Sequence, residues 1–211
     1  MTQHRVLFLV PTHTEKQYLL ESLRGLAGVV PYGYKIVQHS VGKASAAYDA
    51  ALELSASTYS LVVSAGYGRS LNRNVPRGAL ITPSEIIDIE LAQRARILPE
   101  AGIAYRFDCL CAHPGTTMLC SDRWLCTEEH YQDVYALVGP TLLETAALDT
   151  ECAALAQAAE DAGCPFTVAK ILAAGATCST EADVDAYIGA PDYLRNFDPI
   201  VHYVADVLKR L

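Results

Sequence analysis

Apolar positions along this chain alternate between short continuous bursts and longer stretches with helical spacing. The segment from Arg5 to Val10 is a β-type run closed by Pro11. Thr12 or Thr14 can cap a following helix, which presents Leu19, Leu20 and Leu23 and ends at Gly25 and Gly28. Tyr34 to His39 reads as a strand, and Ser40 to Ala47 turns into a helix that runs to Leu54. Tyr59 to Ser64 is nearly all apolar, the pattern of a strand covered on both faces. Ala65-Gly66-Tyr67-Gly68 then reads as a turn, either a plain tight one or one whose glycines let backbone N–H groups approach a ligand.

Gly78 to Pro83 is a further strand, and Ser84 to Glu90 carries the acidic pair Asp88 and Glu90. The charged stretch from Leu91 to Arg106 supports a helix to about Leu98. Cys109 to Cys111 and Thr117 to Cys120 read as strands, and Thr127 to Leu137 has helical spacing. Phe166 to Leu172 is a strand after Gly163-Cys164-Pro165. In the tail from Pro199, Ile200, Val201, Val204, Val207, Leu208 and Leu211 share one helical face. Strands alternate with helices, with no linker, repeat or low-complexity tract. The pattern predicts one α/β domain over residues 1–211, a central mixed sheet flanked by helices.

The stretch Ala147 to Ala156 organises the rest. Asp149 or Thr150 is a natural N-cap, and an acid in the first turn suits the helix dipole. The helix behind it, Cys152 to Ala159, is almost wholly Ala, Leu, Cys and Gln, so it can lie close to a sheet and root Glu151 at a buried edge. A carboxylate there is costly unless it binds hydroxyl donors, and a ribose diol supplies two.

Composition narrows the partners. In 211 residues, 51% are hydrophobic and 19% charged, with net charge −8 and no basic stripe, which argues against a nucleic-acid backbone as ligand. The apolar run Val6 to Val10 stops too early for a secretory leader, and no stretch reaches the roughly 18 apolar residues of a membrane span. The seven cysteines lack the spacing of a zinc site and read as small buried hydrophobes of a reducing compartment. A soluble cytoplasmic protein is expected.

In open α/β sheets ligands gather at the C-terminal ends of strands. Here those ends carry Pro11-Thr12-His13-Thr14-Glu15, Ser64-Ala65-Gly66, Asp149-Thr150-Glu151 and Ala173-Ala174-Gly175. In this order they resemble the nucleoside phosphorylase/nucleosidase superfamily, nearest the methylthioadenosine/S-adenosylhomocysteine nucleosidases and the futalosine hydrolases. Glu15 and Leu19-Leu20 after the first strand resemble the region of the family's water-activating glutamate. Ser40-Val41-Gly42-Lys43-Ala44-Ser45-Ala46-Ala47 is similar to G-[IV]-G-K-x-x-A-A, with Ser40 for the first glycine. Ser64, Ala65 and Gly66 resemble the S-A-G segment near sugar and base, and Asp149 to Ala154 resembles E-M-E-A-A-A, with Thr150 replacing the methionine under the sugar. Gly163-Cys164-Pro165-Phe166 is similar to G-V-P-F, and Trp124, followed by Leu125, falls where the family stacks an aromatic on the base.

The resemblance implies hydrolysis of an N-glycosidic bond, with a nucleoside and water as the partners, no cofactor and no metal. Glu15 would position or deprotonate the water, Glu151 would hold the 2′- and 3′-hydroxyls, and Trp124 would face the leaving base. Read without it, Glu15 compensates the helix dipole and Trp124 is a core aromatic. The Gly-Asp-Pro-x-Arg phosphate loop of the phosphorylases is absent, which favours a hydrolase. A homodimer is implied by the resemblance alone.

One position departs from the pattern. Purine-cleaving relatives place an aspartate in a motif like R-x-I-S-D to serve N7 of the base, whereas Lys170 to Ala174 puts Ala174 there. Asp122, Asp183 and Asp185 are conceivable substitutes, but each reads first as a solvated surface acid. Two readings follow: a nucleosidase acting on a purine-type or modified nucleoside, or a repurposed pocket that binds a nucleoside or runs a different reaction.

Overall fold

The computed structural model describes residues 4–28, 30–71, 75–111, 116–122, 132, 134–137, 139, 147–174 and 194–211. The chain order is β1 (Arg5–Val10), α1 (His13–Gly25), β2 (Gly33–Gln38), α2 (Lys43–Ala56), β3 (Leu61–Ser70), β4 (Leu80–Ile81), β5 (Glu85–Asp88), α3 (Ile89–Ile97), β6 (Arg106–Asp108), β7 (Thr117–Cys120), β8 (Ala147–Asp149), α4 (Cys152–Asp161), β9 (Phe166–Ala174) and α5 (Asp198–Leu208). Among the described residues the strands form one mixed sheet in the order β2-β1-β3-β8-β7-β5-β6, with β9 paired to β3 and β4 to β9. This is the single α/β architecture that the alternating pattern predicts.

Strand β3 is the spine. It runs parallel to β1 over Leu61 to Ser64 and parallel to β9 over Val62 to Arg69. Beyond β1 it continues antiparallel to β8 at Arg69 and Ser70. Period-two alternation sends Val6, Phe8, Val10, Leu61, Val63 and Ala65 into one core layer with Leu19 and Leu23 of α1. Ile200, Val201, Val204, Val207 and Leu208 of α5 complete that layer. The opposite parity sends Leu7, Leu9, Val62 and Val168 against Ala46 and Ala50 of α2 and Ala153, Leu155 and Ala159 of α4. Alanines on both of those helices let them lie close to the sheet and to each other.

Several expected boundaries move, each for a reason in the ladder. Ala65-Gly66-Tyr67-Gly68 is strand and not turn, because its backbone pairs residue for residue with Ala169 to Leu172 of β9. The strand expected over Gly78 to Pro83 shrinks to Leu80–Ile81, paired with Lys170 and Ile171. The strand expected at Cys109 to Cys111 lies earlier, at Arg106–Asp108, where it pairs antiparallel with β5. The Leu110 N–H instead donates to Phe166 O of β9. Of the helix expected over Thr127 to Leu137, residues 134–137 are helical and most of the remainder lies outside the described residues. Leu211 is exposed beyond the end of α5. No helix among the described residues is long and apolar enough to cross a membrane.

Candidate active site

Glu15 enters the site from the first turn of α1. Thr12 is the N-cap, its hydroxyl accepting from the Glu15 N–H at 3.2 Å and donating to Glu15 Oε2 at 2.5 Å. The side chain therefore turns inward, where Oε1 accepts the Tyr67 N–H of β3 at 2.7 Å. Only 3% of the residue remains exposed. A first-turn acid that merely compensated the helix dipole would stay in water. Burial pushes the Glu15 carboxyl above its ordinary range, against the opposing pull of the Lys170 ammonium and the two hydrogen bonds.

The opposite wall forms where β8 meets α4. Asp149 ends the strand, and its Oδ1 accepts the N–H groups of Glu151 and Cys152 at 2.8 and 2.6 Å. It thus satisfies orphan donors of α4 as a capping side chain does, with Glu151 as the residue at the helix boundary. Its Oδ2 pairs with Lys170 Nζ at 2.9 Å. Glu151 is 3% exposed, and its Oε1 accepts the Gly42 N–H at the start of α2 at 3.1 Å. Thr150 beside it is half-buried.

Lys170, 1% exposed, stands among these carboxylates. Beyond Asp149, its Nζ donates to Ala65 O at 3.4 Å. Burial opposes its charge, but Asp149, Glu15 and Glu151 outweigh that penalty and hold the ammonium above the ordinary lysine range. The sequence reading did not single out this lysine for the site. The signal was a lone cation inside the apolar run Val168-Ala169-Lys170-Ile171-Leu172, which a buried strand tolerates only with a partner. Ser64 is fully buried, paired with Leu9 and Val168, and its Oγ has no hydrogen-bond partner among the described residues. His39, also missed, is treated below.

A second charged cluster lies beside α2. Lys43 Nζ pairs with Asp88 Oδ2 at 2.9 Å and Glu90 Oε2 at 2.6 Å, and Ser121 Oγ donates to Glu90 Oε1 at 2.6 Å. This cluster edges a cavity of about 490 Å³ that Ala153, Ala154 and Asp122 help to line, but not Glu15 or Glu151. Cys120, Asp149 and Cys152 place their donor atoms within 4.8 Å of one another. Burial raises both thiols, and the Asp149 carboxylate of this trio is paired with Lys170.

No family model matches the chain, and no curated protein matches it by sequence. Solved structures do match. The chain is similar to the 5′-methylthioadenosine/S-adenosylhomocysteine nucleosidase of Neisseria meningitidis, solved with methylthio-immucillin-A, at TM-score 0.75 and 14% identity over 99% of this chain and 100% of that one. It has the nucleoside phosphorylase/nucleosidase fold. The S-adenosylhomocysteine nucleosidase of Streptococcus pyogenes, in complex with 5-methylthiotubericidin, superposes with TM-score 0.74 at 16% identity over 100% of this chain and 98% of that one. The futalosine hydrolase of Helicobacter pylori does so with TM-score 0.70 at 13% identity over the whole of both.

Within this nucleosidase fold, Ala174 is the last residue of β9 and pairs in register with Arg69 of β3, which is buried. The residue across the ladder from Ala174 is therefore a basic one. Asp122 is exposed, its N–H donating to Glu90 Oε1 at 3.3 Å. Trp124, Leu125, Asp183 and Asp185 lie outside the described residues.

Proposed function

We propose that this chain is an N-ribosyl hydrolase that cleaves the N-glycosidic bond of a purine-type or modified nucleoside. The observation that carries the reading is the Glu15 carboxylate. It is buried, oriented by two hydrogen bonds, raised in pKa, and joined through the field of Lys170 to a second buried carboxylate, Glu151. A group poised above the ordinary carboxyl range is a better base toward water than an exposed glutamate. Water attacks the anomeric carbon as the bond to the base breaks, and the bonding electron pair leaves with the base. Glu15 takes the water proton. Glu151, fixed by the Gly42 N–H, retains a second oxygen for the sugar hydroxyls. Thr150, Ser64, Ala65 and Gly66 line the sugar end of this arrangement, and Trp124 and Leu125 serve the base.

Ala174 provides no acid for the departing base. A leaving group that departs with negative charge and needs no proton suits that replacement. The same substitution favours the second reading, a nucleoside-binding pocket turned to a different reaction. The working form we propose is a cytoplasmic homodimer. The free thiols of the described cysteines are in keeping with a reducing compartment. Val41, Tyr48 and Leu52, exposed at the start and along the outer face of α2, offer an apolar surface to a second copy.

Chromatography of released base over methylthioadenosine, S-adenosylhomocysteine, adenosine, inosine, futalosine and pyrimidine nucleosides tests the hydrolase reading. Release from at least one of them, lost in Glu15→Gln and in Glu151→Gln, is the expected result. Absence of release from every one, with nucleosides still raising the melting temperature by mass action, moves the conclusion to the binding pocket.

A further inference from the structure

His39 stands in the same row of the sheet as Lys170, and its ring carries an unused acceptor. The residue follows β2 directly and continues its ladder, with the His39 N–H donating to Val10 O at 3.0 Å. The registers Val10 with Gln38, Leu9 with Ser64 and Gly66 with Lys170 fix the level of each position. Carried one step past the end of β1, they align His39, Pro11, Gly66 and Lys170 in one row. Alternation along β2 then puts the His39 side chain on the face of Val37, the layer that holds α2 and α4. This is also the corner where Gly42 holds Glu151. The charges that act on the ring confirm the neighbourhood: Lys170, Glu151 and Asp149.

The ring is defined in tautomer as well as place. Nδ1 lies 2.9 Å from Ser40 O, a carbonyl that can only accept, so Nδ1 carries the proton and Nε2 presents a lone pair. The residue is 2% exposed, and Nε2 has no hydrogen-bond partner among the described residues. Burial lowers the imidazole pKa, which keeps the ring neutral and Nε2 an acceptor. A buried acceptor left unmatched is costly, so an atom of this kind calls for a donor from a ligand.

We propose that His39 reads a sugar hydroxyl: its Nε2 accepts a hydrogen bond from a ligand O–H next to the one that Glu151 holds, so that the site selects a hydroxylated furanose over its deoxy analogue. This rests on the nucleoside reading of the site, and it adds to that reading a specificity-determining residue. Because Glu151 is acceptor-only when ionised and His39 offers a second acceptor, the pair asks for two donors on one ligand edge. A site built to pair a hydroxyl rejects the analogue without it far more strongly than an apolar pocket rejects a missing methylene.

Two substitutions separate this role from a structural one. Asn at position 39 keeps an amide N–H where Nδ1 meets Ser40 O but removes the distal acceptor, whereas Gln restores a polar atom near the place of Nε2. The probes are adenosine, its 2′-, 3′- and 5′-deoxy analogues, and the base-free methyl β-D-ribofuranoside, titrated calorimetrically or by ligand-observed NMR. Unsubstituted protein is expected to prefer adenosine about tenfold over one deoxy analogue. In His39→Asn that preference collapses, with adenosine weakened about tenfold and the deoxy analogue unchanged, and His39→Gln regains part of it. Equal weakening of every probe in both variants, or unchanged selectivity in His39→Asn, overturns the proposal. If none of these probes binds the unsubstituted protein, the nucleoside reading falls with it. If the selectivity holds while no base is released from any substrate, only the hydrolase reading falls.

Discussion

A β-carbon on Gly66 would stand 2.4 Å from Glu15 Oε1, closer than side-chain carbons approach an oxygen, so the glycine of one strand and the acid of one helix occupy complementary halves of a single volume. Gly66 also has φ +133°, a conformation that suits no other residue. Gly66→Ala is therefore expected to push Glu15 off the Tyr67 N–H and to lower base release about 10²-fold or more, the loss associated with a misplaced general base. Steady-state kinetics beside a melting curve checks it. Unaltered turnover in a folded Gly66→Ala protein would show that Glu15 need not lie where the strand holds it.

Asp149 and Lys170 form a buried pair that neither member can leave cheaply. Lys170→Met strands Asp149 and removes the cation that Glu15 and Glu151 share, and about 3–5 kcal/mol of stability is expected to go with it. Asp149→Asn is expected to cost a similar amount. The double variant should be less damaging than the sum of the two, because no unpaired charge remains. Urea denaturation of the four proteins gives the coupling, and strict additivity would contradict a direct pair.

The pH dependence has two opposed components. Glu15 must be ionised to accept a proton, so base release is expected to rise with pH through a midpoint above the ordinary glutamate value of 4.5. Its folded pKa lies above the unfolded one, so its contribution to stability is full below the unfolded value and is lost as pH rises through the folded value. Asp149 has the opposite sign, because Lys170 and two backbone N–H groups overcome burial and hold its carboxyl below the ordinary range. Its contribution is present above the unfolded value and lost as pH falls through the folded one. Glu15→Gln is thus expected to melt higher than the parent at neutral pH and to lose that advantage in acid. Thermal melts between pH 4 and 8 decide the point.

Ala174→Asp returns a carboxyl to the end of β9, in register with Arg69. Release of purine from the nucleoside panel is expected to increase by about 10²-fold if protonation of the base limits the reaction. No increase in a folded variant would mean that the natural leaving group departs without an acid.

The layout of this fold is written plainly where local pattern decides it. Leu7 and Leu9 against Val6, Phe8 and Val10 announce a strand with two covered faces, and the small residues from Cys152 to Ala159 announce a helix pressed on a sheet. Glu15 and Glu151 were legible because each sits at a strand-to-helix junction with its own capping signature. The extension of β3 through Gly66 and Gly68 was not, because glycines inside a strand look like punctuation until the group that fills their missing side chains is known. Here those groups are Glu15 and Lys170, 51 and 102 positions distant in the chain respectively. His39 was hidden for the same reason. Its burial follows from α2 and α4 closing over the end of β2, and α4 lies more than a hundred residues away in the chain.

Because one donor to Glu15 is the Tyr67 amide and an acceptor for Lys170 is the Ala65 carbonyl, two of the contacts that shape the site are made by the backbone of the central strand. Replacing the side chain of Tyr67 or Ala65 leaves the N–H and the C=O in place, so at these two positions the site depends on the course of the main chain and not on the residue. The Tyr67 amide, bonded to a buried carboxylate, should exchange its hydrogen for solvent deuterium slowly, and faster in Gly66→Ala, where the acid is displaced. The aim of the acid is thus set by the path of the central strand, so a change that shifts β3 at this point misaligns Glu15 even where every side chain of the site is kept.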